Sequence, residues 1–318
     1  MTTRRTVGLL DPSMSSDNMG DHIIKNSVVK VIQSILPGFQ IVNLPTQRLM
    51  SRSERKLARN CSHFFVGGTN IINGNIPFYM QWKMDPEIAF IIAGRTIPIG
   101  VGWWKYQDAT NRLSTVLWRN IFGHSPVSVR DSYTQLKMDQ MGISSSNTSC
   151  PTMWDLPEYV NTSEKVSESV VVTLTDYKRD VESDLKLFNS LSQIYETVYL
   201  WPQGDKDRDY VQKLRLDVRI GSRDVQWFDE TLAAGSDYVG TRLHAGVRAH
   251  QLGAHSVIIS IDNRAEEIAG DTGLPIVQRS AHSTFDREFR RREARKLILP
   301  TGQIDQWKTN VIETVSSA

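Results

Sequence analysis

Short apolar runs alternate with longer stretches of helical spacing along almost the whole chain, and this alternation restricts the fold more than any single motif. Thr6–Leu10, Gln40–Leu44, His63–Val66, Ile97–Val101 and Val127–Arg130 read as strands. Between the first two, Asp21 through Leu36 sets Ile23, Ile24, Val28, Val31, Ile32 and Ile35 on one stripe, which Pro37-Gly38 ends. Glu54–Arg59, Pro77–Ile92 and Ala109–Phe122 are further helical candidates, and Asp131 stands where it would cap a helix over Ser132–Met141 that Gly142 closes. A second series follows: strands at Ser169–Leu174, Thr197–Trp201, Asp237–Gly240 and Ser256–Ile261, with helices at Val181–Tyr195, Asp207–Leu216, Arg223–Ala234 and Leu243–Leu252. Connections of this length require parallel strands joined by right-handed crossovers, so helices cover both sheet faces. The expected fold class is α/β, with two doubly wound, Rossmann-like parallel-sheet domains facing a cleft.

Residues 143–164 carry a Ser-rich run with Pro151 and Pro157, the composition of a connection. The expected domains are therefore residues 1–150 and 165–300. A last helical segment, Ile304–Val315 within 303–318, is placed to cross back and complete the first domain. At 318 residues either half is long enough to bury a core.

With 40% apolar and 23% charged residues the composition is that of a globular protein, and no window approaches the roughly 18 apolar residues of a membrane helix. The start, Met1 to Leu10, runs directly into a strand-like segment and then Asp11-Pro12, which does not fit a secretion signal. Cys61 and Cys150 lack the spacing of a metal knuckle or redox pair, so a cytoplasmic setting is expected. A net charge of +2 argues against a nucleic-acid binder. Positive charge is dense only in 287–296, where Arg287, Arg290, Arg291, Arg292, Arg295 and Lys296 read as a solvated helix face, with peripheral contact to an anionic membrane as the functional alternative.

Sheets of this kind bind ligands beyond the carboxyl ends of their strands, so candidates are sought there. Gly240-Thr241-Arg242-Leu243-His244-Ala245 places a guanidinium and an imidazole where a strand turns into a helix, whose free amides and dipole favour an anion. The structural alternative is that Arg242 pairs with a carboxylate and His244 is a half-buried core residue. After the first strand, Asn18, Gly20 and Asp21 open on the same edge. Asp21 suits a helix cap, and all three are candidates for contacting an acceptor. Gly67-Gly68 allows close backbone approach, and Trp103-Trp104 offers a platform for a sugar ring, with core packing as the alternative. Ser128-Val129-Arg130-Asp131 repeats the arginine-at-strand-end arrangement. Asp205-Lys206-Asp207-Arg208-Asp209 lacks the glycine and glutamate of a calcium loop and reads as helix capping. The seven histidines show no metal-ligand spacing, so no metal is expected. Neither G-x-S-x-G nor G-x-G-x-x-G occurs.

Asn18-Met19-Gly20-Asp21, Val66-Gly67-Gly68, Ile99-Gly100-Val101-Gly102, Ser128-Val129-Arg130-Asp131 and above all Asp237-Tyr238-Val239-Gly240-Thr241-Arg242-Leu243-His244-Ala245 together resemble the polysaccharide pyruvyl transferase family, over roughly residues 7 to 275. The resemblance implies a two-domain fold like that of GT-B glycosyltransferases. It also implies transfer of a pyruvyl group from phosphoenolpyruvate to two hydroxyls of one sugar in a cell-surface polysaccharide or its precursor, giving a cyclic ketal and inorganic phosphate. No cofactor is implied, since phosphoenolpyruvate is a substrate. The partners are that donor and a glycan or lipid-linked sugar. Arg130, Arg242, Leu243 and His244 fall to donor binding, His244 to proton transfer and Asp21 to the base. Arg264 stands where the family often has lysine, which keeps the charge but not the capacity to shed a proton. Thr69 stands where a third glycine is common. The alternatives are a nucleotide-sugar-dependent GT-B glycosyltransferase and a non-catalytic sugar- or anion-binding homologue.

Overall fold

A computed structural model of the chain describes residues 5–317. Residues 1–4 and 318 of the expected domains lie outside the described residues. The chain forms two compact units: the described residues through Ser16 with Ile24–Trp154 and Leu299 onward, and Asp17–Ile23 with Asp155–Ile298.

The first unit runs β1 (Thr6–Asp11), α1 (Met19–Ile35), β2 (Gln40–Pro45), α2 (Arg52–Arg59), β3 (Phe64–Gly67), α3 (Pro86–Ile92), β4 (Thr96–Ile99), α4 (Arg112–Phe122), β5 (Ser128–Val129), α5 (Ser132–Gln140) and β6 (Ser146–Asn147). Its main sheet has the order β2-β1-β3-β4 with parallel pairs. A parallel bridge between Val101 and Val129 continues it toward β5 and β6. Alternate strand residues face opposite cores. Val7, Leu9, Phe65 and Ile97 pack with Ile24, Val28 and Ile32 of α1, whereas Leu10, Phe64 and Val66 pack with the layer holding Trp118 and Phe122 of α4. This is why these strands read as unbroken apolar runs.

The second unit contains β7 (Tyr159–Val160), β8 (Ser169–Thr173), α6 (Val181–Ile194), β9 (Thr197–Leu200), α7 (Asp205–Lys213), β10 (Arg219–Ile220), α8 (Val225–Ala233), β11 (Asp237–Gly240), α9 (Leu243–Gln251), β12 (Ser256–Ser260), α10 (Asn263–Thr272), β13 (Ile276–Gln278), α11 (Phe285–Arg290) and β14 (Arg295–Lys296). Its parallel sheet has the order β10-β9-β8-β11-β12-β13. Val170, Val172, Val239 and Ile259 face α6 and α11 through Leu187, Phe188, Phe285 and Phe289. On the other face Trp201 stacks on Phe228 of α8 at 4.0 Å, and α9 lies so close that a Cβ at Gly246 would stand 2.2 Å from Ile258. The remaining helix, α12 (Thr301–Ser316), sets Trp307, Val311 and Val315 in the α1-side core of the first unit, and Trp307 Nε1 donates to the Pro126 carbonyl.

The α/β class and the parallel sheets are as expected, and several boundaries differ. Residues 77–85 are not helical: Asp85 caps a helix that begins at Pro86, accepting from the Ile88 N–H at 3.0 Å. The segment 287–296 is not a solvated helix face. Helix α11 stops at Arg290, and Arg292 turns inward to Asp237.

Candidate functional site

In the second unit the chain leaves β8 through β9 and β10 on one side, then returns to the other side of β8 at β11. The strand order therefore reverses between β8 and β11, and the carboxyl ends of these strands are where sheets of this kind bind ligands. The two strand exits are pinned together. The Thr241 N–H donates to the Thr173 carbonyl at 3.0 Å, and the hydroxyls of Thr175 and Thr241 lie 2.8 Å apart. The Tyr238 hydroxyl donates to the Arg242 carbonyl at 2.9 Å. Gly240 is required here, since a Cβ would stand 2.2 Å from Thr173 Oγ1.

Arg242 stands at the cap position of α9, and its side chain makes no capping hydrogen bond to the first turn. Its Nη2 donates to both carboxylate oxygens of Asp207, at 2.7 and 2.6 Å, and lies 4.0 Å from Asp176. The Nε is buried with no partner. Tyr177 lies with its ring 5.2 Å from the Arg242 guanidinium carbon, within cation–π range. Burial raises the Asp207 carboxyl above the usual carboxylate range, against the pull of Arg242. Leu243 and His244 follow in the first turn of α9, both buried. Thus Arg242 pairs with a carboxylate, as its structural reading required, and still keeps a donor that the protein does not satisfy.

One strand further, Asp262 caps α10 and holds Arg264: Nε donates to both Asp262 oxygens at 3.0 Å, and Nη2 to Oδ2 at 2.6 Å. The same Nη2 lies 2.6 Å from the Tyr177 hydroxyl. The β8, β11 and β12 exits therefore gather Tyr177, Arg242 and Arg264 into one cluster. Tyr177 is not among the residues that the sequence points to. The signal for Tyr177 was its place four residues past a continuous apolar strand. Asp207, read as a capping residue, instead accepts from the backbone of Asp176 and Gln203 as well as from Arg242, while Gly204 takes the cap position of α7.

The other candidates belong to other segments of the chain. Asn18, Gly20 and Asp21 open α1, where the Met19 N–H donates to the Gln203 carbonyl at 3.2 Å. Asn18 Oδ1 accepts from the Gly20 N–H at 3.2 Å, and Asp21 sits inside the first turn. The expected capping by Asp21 is thus corrected, because the helix starts two residues earlier, at Met19. In the first unit Gly68 has φ +63°, and a Cβ there would stand 2.4 Å from Ile24, so its glycine serves the packing of α1. Arg130 is 1% exposed, donates from Nε to Asp131 at 2.8 Å and lies against Gly102, where a Cβ would stand 2.2 Å from its Cζ.

Trp103 is corrected as a sugar platform. It is fully buried in the core, with its backbone bridged to Ile72 and its Nε1 donating to Gln107 at 2.7 Å. Trp104 is half-buried; Tyr79 stacks on it at 3.7 Å and the Lys105 ammonium lies 4.3 Å from its ring. Of the basic segment, Arg292, its side chain 8% exposed, pairs with Asp237, Arg291 pairs with Glu293, and Lys296 with Glu158. Among the described residues no helix is long and apolar enough to cross a membrane.

The family model for polysaccharide pyruvyl transferases matches residues 18–263. The chain belongs to the polysaccharide pyruvyl transferase family. The match spans every strand exit described above, from Asn18 through Asp262, and ends just short of Arg264. No similar sequence was found among curated proteins. Solved structures similar to this pyruvyl transferase family member include the E. coli heptosyltransferase WaaC with ADP-2-deoxy-2-fluoro heptose, at 12% identity over 80% of this chain and 88% of that one, TM-score 0.39. The glycosyltransferase SnogD from Streptomyces nogalater, at 12% identity, covers 99% and 96% with TM-score 0.40. MurG of Acinetobacter baumannii, at 9% identity, covers 99% and 95% with TM-score 0.41.

Proposed function

We propose that the protein transfers a pyruvyl group from phosphoenolpyruvate to two hydroxyls of a sugar in a cell-surface polysaccharide or its precursor, releasing inorganic phosphate. The observation that carries this reading is the unsatisfied, buried Nε of Arg242 at the start of α9, beside the strand exits where the order reverses. A buried donor without a partner costs about 1–3 kcal/mol, a cost that an anionic ligand removes. Arg242, Leu243, His244 and Arg264 form the donor site in this reading, and the family resemblance also assigns Arg130 to donor binding.

The reaction protonates the methylene carbon of the enol, leaving a cationic carbon that the first sugar hydroxyl attacks. The second hydroxyl then displaces phosphate and closes the ketal. Both hydroxyl protons are released: one replaces the proton given to the methylene carbon and the other leaves on the phosphate, so one group must deliver a proton and another must receive one. His244 delivers the first proton, as an imidazole beside the anion site. Asp21 receives a hydroxyl proton in this reading, and Asn18, Gly20, Gly68 and Trp104 are the residues assigned to the acceptor. No cofactor or metal enters this chemistry. The setting is cytoplasmic, and a lipid-linked acceptor would bring the protein to a membrane surface.

Incubation with phosphoenolpyruvate and candidate glycans tests the proposal. The expected result is phosphate release matched by an acid-labile mass gain on the sugar, lost in His244→Ala. Preferential thermal stabilisation by a nucleoside diphosphate, without turnover of phosphoenolpyruvate, would overturn it in favour of a glycosyltransferase.

A further inference from the structure

Tyr177 touches both cations of the β11 and β12 exits. Its ring faces the Arg242 guanidinium at 5.2 Å, and its hydroxyl lies 2.6 Å from Arg264 Nη2. It is also 54% exposed, whereas Arg242 is 8% exposed, so the phenol stands between a buried guanidinium and solvent. An arginine nitrogen only donates, so the phenol oxygen accepts from Arg264 and its own hydrogen remains for a different acceptor. Each arginine already has a carboxylate, Asp207 for Arg242 and Asp262 for Arg264. Neither is therefore a bare point charge, and neither alone outbids its own partner for a weak monoanion. A ligand with two anionic groups on a short spacer engages both.

We infer that Tyr177 joins Arg242 and Arg264 into one two-headed anion site, which selects ligands carrying two anionic groups over ligands carrying one. The inference rests on the donor reading above and deepens it. One anionic group takes Arg242 Nε and the amides that open α9. The other takes Arg264 and the Tyr177 hydroxyl. The aromatic ring fixes the separation between the two subsites. Tyr177 acts here both by touching the ligand and by positioning the two arginines.

Calorimetric titration of the full chain with phosphoenolpyruvate, pyruvate and inorganic phosphate tests this. Wild type is expected to bind phosphoenolpyruvate at least about tenfold tighter than either single-headed ligand, the scale of one charge-assisted hydrogen-bonded contact. Arg264→Gln is expected to weaken phosphoenolpyruvate about 10- to 100-fold and phosphate by less than about threefold, because only the two-headed ligand uses both subsites. Tyr177→Phe keeps the ring and loses the hydroxyl, so its loss for phosphoenolpyruvate is smaller, about 3- to 10-fold, while Tyr177→Leu equals or exceeds Arg264→Gln. In the turnover assay these losses fall on KM for phosphoenolpyruvate more than on kcat. Arg264→Lys restores charge without the planar fork and recovers only part of the affinity. Unchanged phosphoenolpyruvate affinity in Tyr177→Leu and Arg264→Gln overturns the inference while the donor reading stands. Wild type that binds phosphate but not phosphoenolpyruvate overturns the donor reading and the inference together.

Discussion

Acidification below neutrality should destabilise the second unit through two histidines that play no part in the proposed chemistry. His250, at the end of α9, and His255, before β12, are each 2% exposed, and no ring nitrogen of either has a hydrogen-bond partner. Burial holds both imidazoles far below the ordinary value, at about 3, and Arg292 and His250 push His255 further in the same direction. The folded state therefore keeps them neutral while the unfolded chain protonates them near pH 6.5. Their contribution to stability is complete above that pH and is lost progressively as pH falls from about 6.5 toward about 3. At pH 5.5 an unfolded imidazole is about 90% protonated, so each histidine removes about 1.4 kcal/mol and the pair about 3 kcal/mol. For a unit of this size that amounts to roughly 6–12 °C in Tm. Thermal unfolding between pH 7.5 and 5.5, read by circular dichroism, should show this fall in wild type and a much flatter dependence in His250→Asn/His255→Asn. The carboxylates held low, such as Glu54 at about 2, titrate below this window. Equal pH slopes in wild type and the double variant would refute the reasoning.

Three further outcomes follow from packing and pairing. Arg292→Met should cost about 3–5 kcal/mol in urea unfolding, because it leaves the Asp237 carboxylate, 2% exposed, without its cation. Trp103→Ala should lower stability by about 3–5 kcal/mol, so that activity per folded molecule, measured below the lowered Tm, changes far less than the folded fraction. Cys61, with its thiol pushed up to about 11 by burial, should resist thiol reagents in the native state at pH 7.5 and react on unfolding.

Much of the fold is legible because both main sheets are parallel and covered on both faces, so that strands such as Ser169–Thr173 carry an unbroken run of valines and are buried at nearly every position. What escaped depends on contacts distant in sequence. Residue Arg292 belongs to a basic run locally, and only the fold brings it to Asp237, 55 positions away. Likewise the Asp207 carboxylate is one of three acidic residues at a helix start until Arg242 reaches it from β11. Edge strand β13 is short, with a polar end, and gives no periodic signal over three residues. Pro77 carries the mark of a helix start, yet the helix begins at Pro86, where Asp85 supplies the cap. Of the two tandem tryptophans, bridge pairing at Ile72 decides that Trp103 is core, which no local pattern reveals. At the site, the glycine–arginine–histidine turn was readable because it follows from strand-to-helix geometry. Tyr177 was not, because its significance lies in two arginines from other strands.

Arg242 acts as a ligand for an anion rather than only as half of a structural ion pair, and titration of phosphoenolpyruvate into Asp207→Asn/Arg242→Gln tests that most directly, since the double substitution removes the cation without stranding its buried partner. Wild type should bind one phosphoenolpyruvate per chain, and the double variant, still folded by circular dichroism, should bind at least about tenfold more weakly. Equal affinity in the two proteins, or no binding to wild type, would contradict it.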